Sequence, residues 1–318
     1  MSRGDTIPEF PHTEKILISE AIKIADIYAD ELWEDWSDVP FALLLIDDDY
    51  EFLVNHPAPT GDFKSIGKDD LLESEIYYRK KIYSPELLAT FPAVGGIPTI
   101  VVGKPENTGL SPVEWIFILL HEHFHQYQYS QSDYLQSVEE LGLKGGDKTG
   151  MWMLNYPFEY DNERVNVQYD SLKKALVNIF RSENPAEEKK LINHYLKRRG
   201  WFTSTLSIED HKYFSFQVWQ EGIARYTEIK MVEMLKDDNY SFPEEIKNLP
   251  GSKDIGDYYT EIFNKNLNLL NGLELNESKR NCFYSFGAFE GFLLDRVNPG
   301  WRENYPDEKF YIEKLYKN

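Results

Sequence analysis

Residues 119–130 read LLHEHFHQYQYS and place three of the chain's seven histidines within five positions. His121, Glu122 and His125 form the pattern H-E-x-x-H. On a helix, histidines four apart leave the same face one turn apart, which suits two cis ligands of one metal ion. Glu122 is then rotated about 100° from His121, able to reach a metal-held water without being a ligand itself. With seven histidines and abundant glutamate, chance alone gives such a pattern in roughly one or two chains per hundred. The competing reading is an ordinary helix with polar residues on one side. The preceding run WIFILL counts against it, because it puts the histidines on a buried helix, where unpaired imidazoles are costly. His123 points to the other side of that helix and reads as a surface or hydrogen-bonded histidine, not a ligand.

Two histidine ligands call for a third protein ligand and an open fourth position. VWQEGIARYTEIK (218–230) offers Glu221, near the start of an expected helix whose buried stripe is Trp219, Ile223, Tyr226 and Ile229. Gly222 and Ala224 beside it are small enough for another helix or a metal to approach. Taken alone, Glu221 would read as a charge on a solvated helix face. PFEYDNERVNVQYDSLKKAL (157–176) offers a rival in Glu159 and Glu163, four apart on another expected helix. One of these could bind the metal or hold a ligand histidine from behind. Asp295, Arg296 and the lone Cys282 read as structural.

Three segments together carry a family resemblance. His121-Glu122-x-x-His125, then Trp219-x-Glu221-Gly222-x-Ala224-x-Tyr226-x-Glu228, then YSFGAFEGFLL (284–294) resemble the gluzincin metallopeptidases. The pattern is nearest to that of the leukotriene-hydrolase-related aminopeptidases. The resemblance implies one zinc ion per chain held by His121, His125 and Glu221, with Glu122 as general base. It also implies Tyr284 as the hydrogen-bond donor to the oxyanion, and hydrolysis of a peptide or protein substrate. It covers the motif-bearing segments and does not extend to residues 1–90.

The sequence departs from that family at several points. Glu221 lies 96 residues beyond His125 (221 minus 125), so extra helices stand between the ligands. The spacing from Trp219 to Glu221 is one residue shorter, and Gln220 replaces the usual Asn. Arg225 stands four after Glu221, where thermolysin-type enzymes place an Asp that orients a zinc histidine. The G-x-M-E-N segment that recognises a free N-terminus is absent, and GGIPT (95–99) does not replace it. Two other classes remain open at this point. One is a catalytically silent zinc-binding or interaction protein, against which both Glu122 and Tyr284 argue, since a structural site needs neither. The other is a zinc hydrolase acting on a non-peptide amide or ester.

These residues need elements to position them. Residues 14–35 carry Ile16, Ile18, Ala21, Ile24, Ile27 and Leu32 at helical spacing. FALLLI (41–46), YEFLVNH (50–56), EIYYRKKIY (75–83) and IPTIVVG (97–103) read as strands of a small sheet. If IPTIVVG is the sheet edge, it can bind an extended substrate through its backbone. Ser111 as N-cap, Pro112 at the first position and Glu114 three after the cap start the histidine helix. Further helices are expected at 158–181, 186–199, 212–236, 256–270 and 281–297. On the last of these, Gly287 and Gly291 with Ala288 should let the helix press closely on the metal helix, with Tyr284 near its start. The expected fold is α+β: a small mixed-sheet N-terminal lobe over residues 1–110 packed on a mainly helical, zincin-like catalytic lobe over 111–318.

Composition sets the outer bounds. A chain of 318 residues with 42% hydrophobic and 15% aromatic residues can bury a large core. A net charge of −20 argues against nucleic acid and anionic membranes as partners. One cysteine excludes an intramolecular disulfide and suits a reducing compartment. The sequence has no apolar run of signal-peptide or transmembrane length, so a cytoplasmic protein, or one whose leader has been removed, is expected. Seven tryptophans and 21 tyrosines are more readily core than substrate subsites.

Overall fold

Two short apolar runs flank Asp47, Asp48 and Asp49, the composition of a hairpin. They form strands β1 (Leu43–Ile46) and β2 (Tyr50–Val54), paired antiparallel with Leu43 opposite Val54 and Ile46 opposite Glu51. The computed structural model describes residues 7–316 and builds this hairpin into a six-stranded sheet. The other strands are β3 (Lys64–Asp69), β4 (Ser74–Lys80), β5 (Leu88–Val94) and β6 (Ile97–Gly103). Their order across the sheet is β3-β4-β2-β1-β6-β5. β6 runs parallel to β1, Leu43 facing Ile100, and every other pairing is antiparallel. With a mixed sheet in the N-terminal part and a mainly helical remainder, the fold is α+β.

IPTIVVG is not the edge of this sheet. β6 is paired on both sides, and β5 lies outside it. β5 carries Pro92 at the point where its register with β6 shifts between Phe91 and Val94. Proline cannot donate to a ladder and is tolerated at edges and bulges.

Helix α1 (His12–Leu32) buries Leu17, Ile18, Ala21, Ile24 and Ala29 along one stripe. Helix α2 (Pro112–Ser130) carries H-E-x-x-H, and its start is a reciprocal capping box. The Ser111 hydroxyl accepts from the Glu114 N–H at 3.3 Å, while the Glu114 carboxylate accepts from the Ser111 N–H at 3.0 Å. Side chains then fasten α2 to the sheet. Gln126 Nε2 donates to the carbonyls of Ala42 and Pro98, each at 2.9 Å. Trp115 Nε1 donates to the Gly103 carbonyl at 2.9 Å.

The chain divides into two compact units. The first contains the described residues up to Ser130 together with Met231–Tyr258; the second contains Gln131–Lys230 and the described residues from Tyr259 onward. A boundary near residue 110 was expected from the change in sequence character. Instead, α2 belongs with the sheet, because its anchors lie on the sheet and the loops that lead into it.

The second unit is built from α3 (Glu163–Arg181), α4 (Pro185–Thr205), α5 (Ile208–Gln217), a π-helical turn at Val218–Gly222 and the first part of α6 (Ile223–Asp237). Most of α7 (Ile255–Gly272) and all of α8 (Cys282–Val297) complete it. Asn162 caps α3, its side chain accepting from the N–H groups of Arg164 and Val165. In the core of this unit the Glu290 carboxylate, fully buried, accepts from Arg199 Nε at 2.6 Å and Nη2 at 3.0 Å, and from the Tyr195 hydroxyl. Among the described residues no helix is long and apolar enough to cross a membrane.

Candidate metal centre

The apolar run before the motif sinks α2 into the first unit, and His121, Glu122, His123 and His125 are all buried. His121, Glu122 and His125 each offer one ligand atom within 4.8 Å of the others. The His121 and His125 rings leave the same face of the helix one turn apart and stand edge-on, centroids 4.9 Å apart at 83°. Glu122 is anchored through its backbone, whose carbonyl accepts from Thr90 Oγ1 on β5 at 2.9 Å. Its carboxylate is a different matter. Glu122 Oε2 is buried and has no hydrogen-bond partner among the described residues.

His125 is oriented from within its own helix. Its Nδ1 lies 2.7 Å from Oε1 of Gln128, which is fully buried. An amide oxygen only accepts, so this contact is a hydrogen bond in the tautomer that carries the proton on Nδ1, which leaves the ring lone pair on Nε2. This is the tautomer that a metal-binding histidine uses when a neighbour fixes its other nitrogen. Gln128 escaped the sequence reading, although its spacing of three after His125 is a signal that helical geometry supplies.

His123 is buried and hydrogen-bonded, not at the surface. Its ring lies between Trp36, centroids 5.4 Å apart, and Phe41, at 4.5 Å. Burial pushes its pKa down to about 4, and Gln126 Oε1 faces its Nδ1 at 2.9 Å. It serves the packing of α2 and takes no part in the cluster.

Glu221 and Tyr284 lie in the second unit, and there they are neighbours. Glu221 sits in the π-helical turn, an arrangement that widens one turn of helix and recurs at functional sites. Tyr284 is in the first turn of α8. Arg280 joins them: its Nη1 donates to the Tyr284 hydroxyl at 2.8 Å and lies 3.8 Å from Glu221 Oε1, while Glu221 and Tyr284 also hydrogen-bond each other. Burial pushes the Tyr284 phenol well above its usual range, and the Glu221 charge pushes it further. The carboxylate and the phenol in turn hold the Arg280 guanidinium more firmly protonated, against the cost of burying it. Arg280 was also missed, though it precedes Tyr284 by four.

Helix α8 presses on the Glu221 turn, where the sequence suggested the metal helix as the partner of its small residues. A Cβ added to Gly222 would lie 2.5 Å from Gly287 Cα and 3.1 Å from the Phe283 carbonyl oxygen. Only two facing glycines allow that approach. Gly291 instead makes room for the Tyr226 ring.

The rival pair lacks the expected geometry. α3 begins at Glu163, so Glu159 precedes the helix and the two carboxylates do not share a helical face. Both are exposed, and Glu159 accepts from the Asn162 amide at 2.6 Å. Of the residues read as structural, Asp295 accepts from Tyr226, Trp301 and Arg302. Arg296 pairs with Glu188 at the surface, and Cys282 is buried with its thiol pushed up to about 12.

The structure therefore gathers His121, Glu122 and His125 in one unit, and Glu221 with Tyr284 in the other. Comparison with known proteins returns no match among protein families, curated proteins or solved structures.

Proposed function

We propose that the protein is a zinc-dependent metallopeptidase, with His121, His125 and Glu221 as ligands of one zinc ion, Glu122 as general base and Tyr284 as oxyanion donor. The observation that carries this reading is the buried Glu122 Oε2, without a hydrogen-bond partner among the described residues, between two histidines one turn apart. A polar atom left so is costly unless a ligand or reacting water meets it. The donor set fits the metal: neutral imidazoles and a carboxylate are the ligands zinc hydrolases use. Zinc, when bound, lowers the pKa of a water and polarises a carbonyl.

The residues divide the rest of the work. Glu122 takes the proton from the attacking water and passes it to the leaving amine. Tyr284, its phenol held above the usual range, stays protonated at neutral pH and donates to the oxyanion that develops on the substrate carbonyl. One such donor typically contributes about 3–4 kcal/mol. The substrate-edge role expected of IPTIVVG passes to β5, which among the described residues has one unpaired side and reaches Glu122 through Thr90. An extended peptide can add to such an edge as a further strand. The single cysteine suits a reducing compartment such as the cytoplasm.

The test is Glu122→Gln, which should keep the fold and the metal while abolishing turnover. Wild type and variant are incubated with a peptide library, and new termini are read by mass spectrometry. Cleavage by wild type alone supports the assignment. Identical product patterns from both proteins rule Glu122 out as the base.

A further inference from the structure

Arg280 does more than its contacts with Tyr284 and Glu221 require. A guanidinium has five N–H donors in a fixed fork. Among the described residues its one hydrogen bond comes from Nη1, which leaves Nε and Nη2 uncommitted. Arg280 also lines a cavity of about 630 Å³ that lies wholly within the second unit. Asn155, Tyr160, Glu277 and Lys279 share the lining. The wall is thus polar, with two cations against one carboxylate, in a chain whose net charge is −20. Lys279 has φ 51° and ψ −133°, a conformation that a side-chain-bearing residue rarely adopts.

We propose that this cavity is a carboxylate subsite, in which Arg280, aided by Lys279, takes a carboxylate of the substrate one or two residues from the scissile bond. The inference rests on the peptidase reading, because Tyr284 as oxyanion donor fixes where the scissile carbonyl lies. Arg280 Nη1 is 2.8 Å from the Tyr284 oxygen. A group held by the outer nitrogens of the same guanidinium is then within about two Cα–Cα spans of that carbonyl. The planar fork matches a carboxylate with two parallel N–H···O bonds, which a neutral amide cannot accept equally well. Substrates of this class are short peptides cut near a free C-terminus, or peptides with an acidic residue beside the cleaved bond.

Three probes separate these sources: acetyl-Ala-Ala as the free acid, acetyl-Ala-Ala amide and acetyl-Ala-Asp amide. Their binding to the full-length Glu122→Gln protein is measured by calorimetry, so turnover does not interfere. At least one acid should bind about tenfold or more tighter than the neutral amide. Preference for the first acid identifies the terminal carboxylate, and preference for the second identifies a side chain. Adding Arg280→Met should abolish the preference, and Arg280→Lys should retain part of it. The acid-against-amide contrast with Arg280 intact stands even if the methionine variant fails to fold. Equal binding of all three probes, no binding by any, or a preference that survives a folded Arg280→Met overturns the subsite. Zinc content and library cleavage judge the peptidase reading separately, so the two can fail independently.

Discussion

Replacing Gln128 with leucine removes the amide oxygen that faces His125 Nδ1 at 2.7 Å while keeping most of the side-chain volume. That distance is at the short end for an N–H···O bond, and both residues are buried. Loss of a buried partner typically costs about 1–3 kcal/mol. At about 1.4 kcal/mol per tenfold, this falls on the ability of His125 to present Nε2 to a metal. Zinc affinity should therefore drop about 10–100-fold, the range seen when the hydrogen-bond partner of a ligand histidine is removed. The assay is competition for zinc against a chelator of known affinity at fixed pH, with thermal melts of the metal-free proteins as a control for folding. Gln128→Glu should restore or tighten binding, since a carboxylate is the stronger acceptor. Unchanged affinity in the leucine variant would show that Gln128 does not orient a ligand. Tighter binding would mean that His125 binds through Nδ1.

The close contact of α8 with the Glu221 turn predicts that Gly222→Ala destabilises by about 1–3 kcal/mol or more, because the new methyl meets backbone that no rotamer change can move. Chemical denaturation measures it, and a neutral effect would refute the contact. Tyr284→Phe should lower kcat about a hundredfold or more with little change in KM or stability, and an unchanged kcat would leave the tyrosine as packing. Burial alone would raise the Glu313 carboxyl, but the Arg199 charge and the hydrogen bond from His211 hold it down to about 2. A depressed carboxylate stabilises fully above its unfolded value of 4.5, and that share is lost as pH falls toward about 2. Up to roughly 3 kcal/mol is at stake, and Glu313→Gln should flatten the loss of stability between pH 4.5 and 2 measured by urea unfolding.

Local signals were legible in the sequence, and long-range ones less so. The capping box at Ser111 and Glu114, the apolar run before His121 and the spacing of the two histidines are all set within one helix, and each is found in the structure. β3 and β5 were missed for definite reasons. β3 is polar and largely exposed, and β5 carries a proline and an irregular register, so neither shows the alternation that marks a strand. The burial of His123 depends on Trp36 and Phe41, more than 80 positions away, and periodicity along α2 carries no trace of them. The π turn at Glu221 is equally hidden, since one widened turn scarcely disturbs an apolar stripe. The pairing of Gly222 with Gly287 was half legible: small residues announced a close approach without saying to what.

The central claim is that His121 and His125 hold a metal, and metal content tests it most directly. Zinc is measured by elemental analysis in the purified protein after removal of any affinity tag, beside the His121→Ala/His125→Ala double variant. The account predicts about one zinc per chain in the wild type and close to none in the variant. Equal zinc in the two proteins would contradict it.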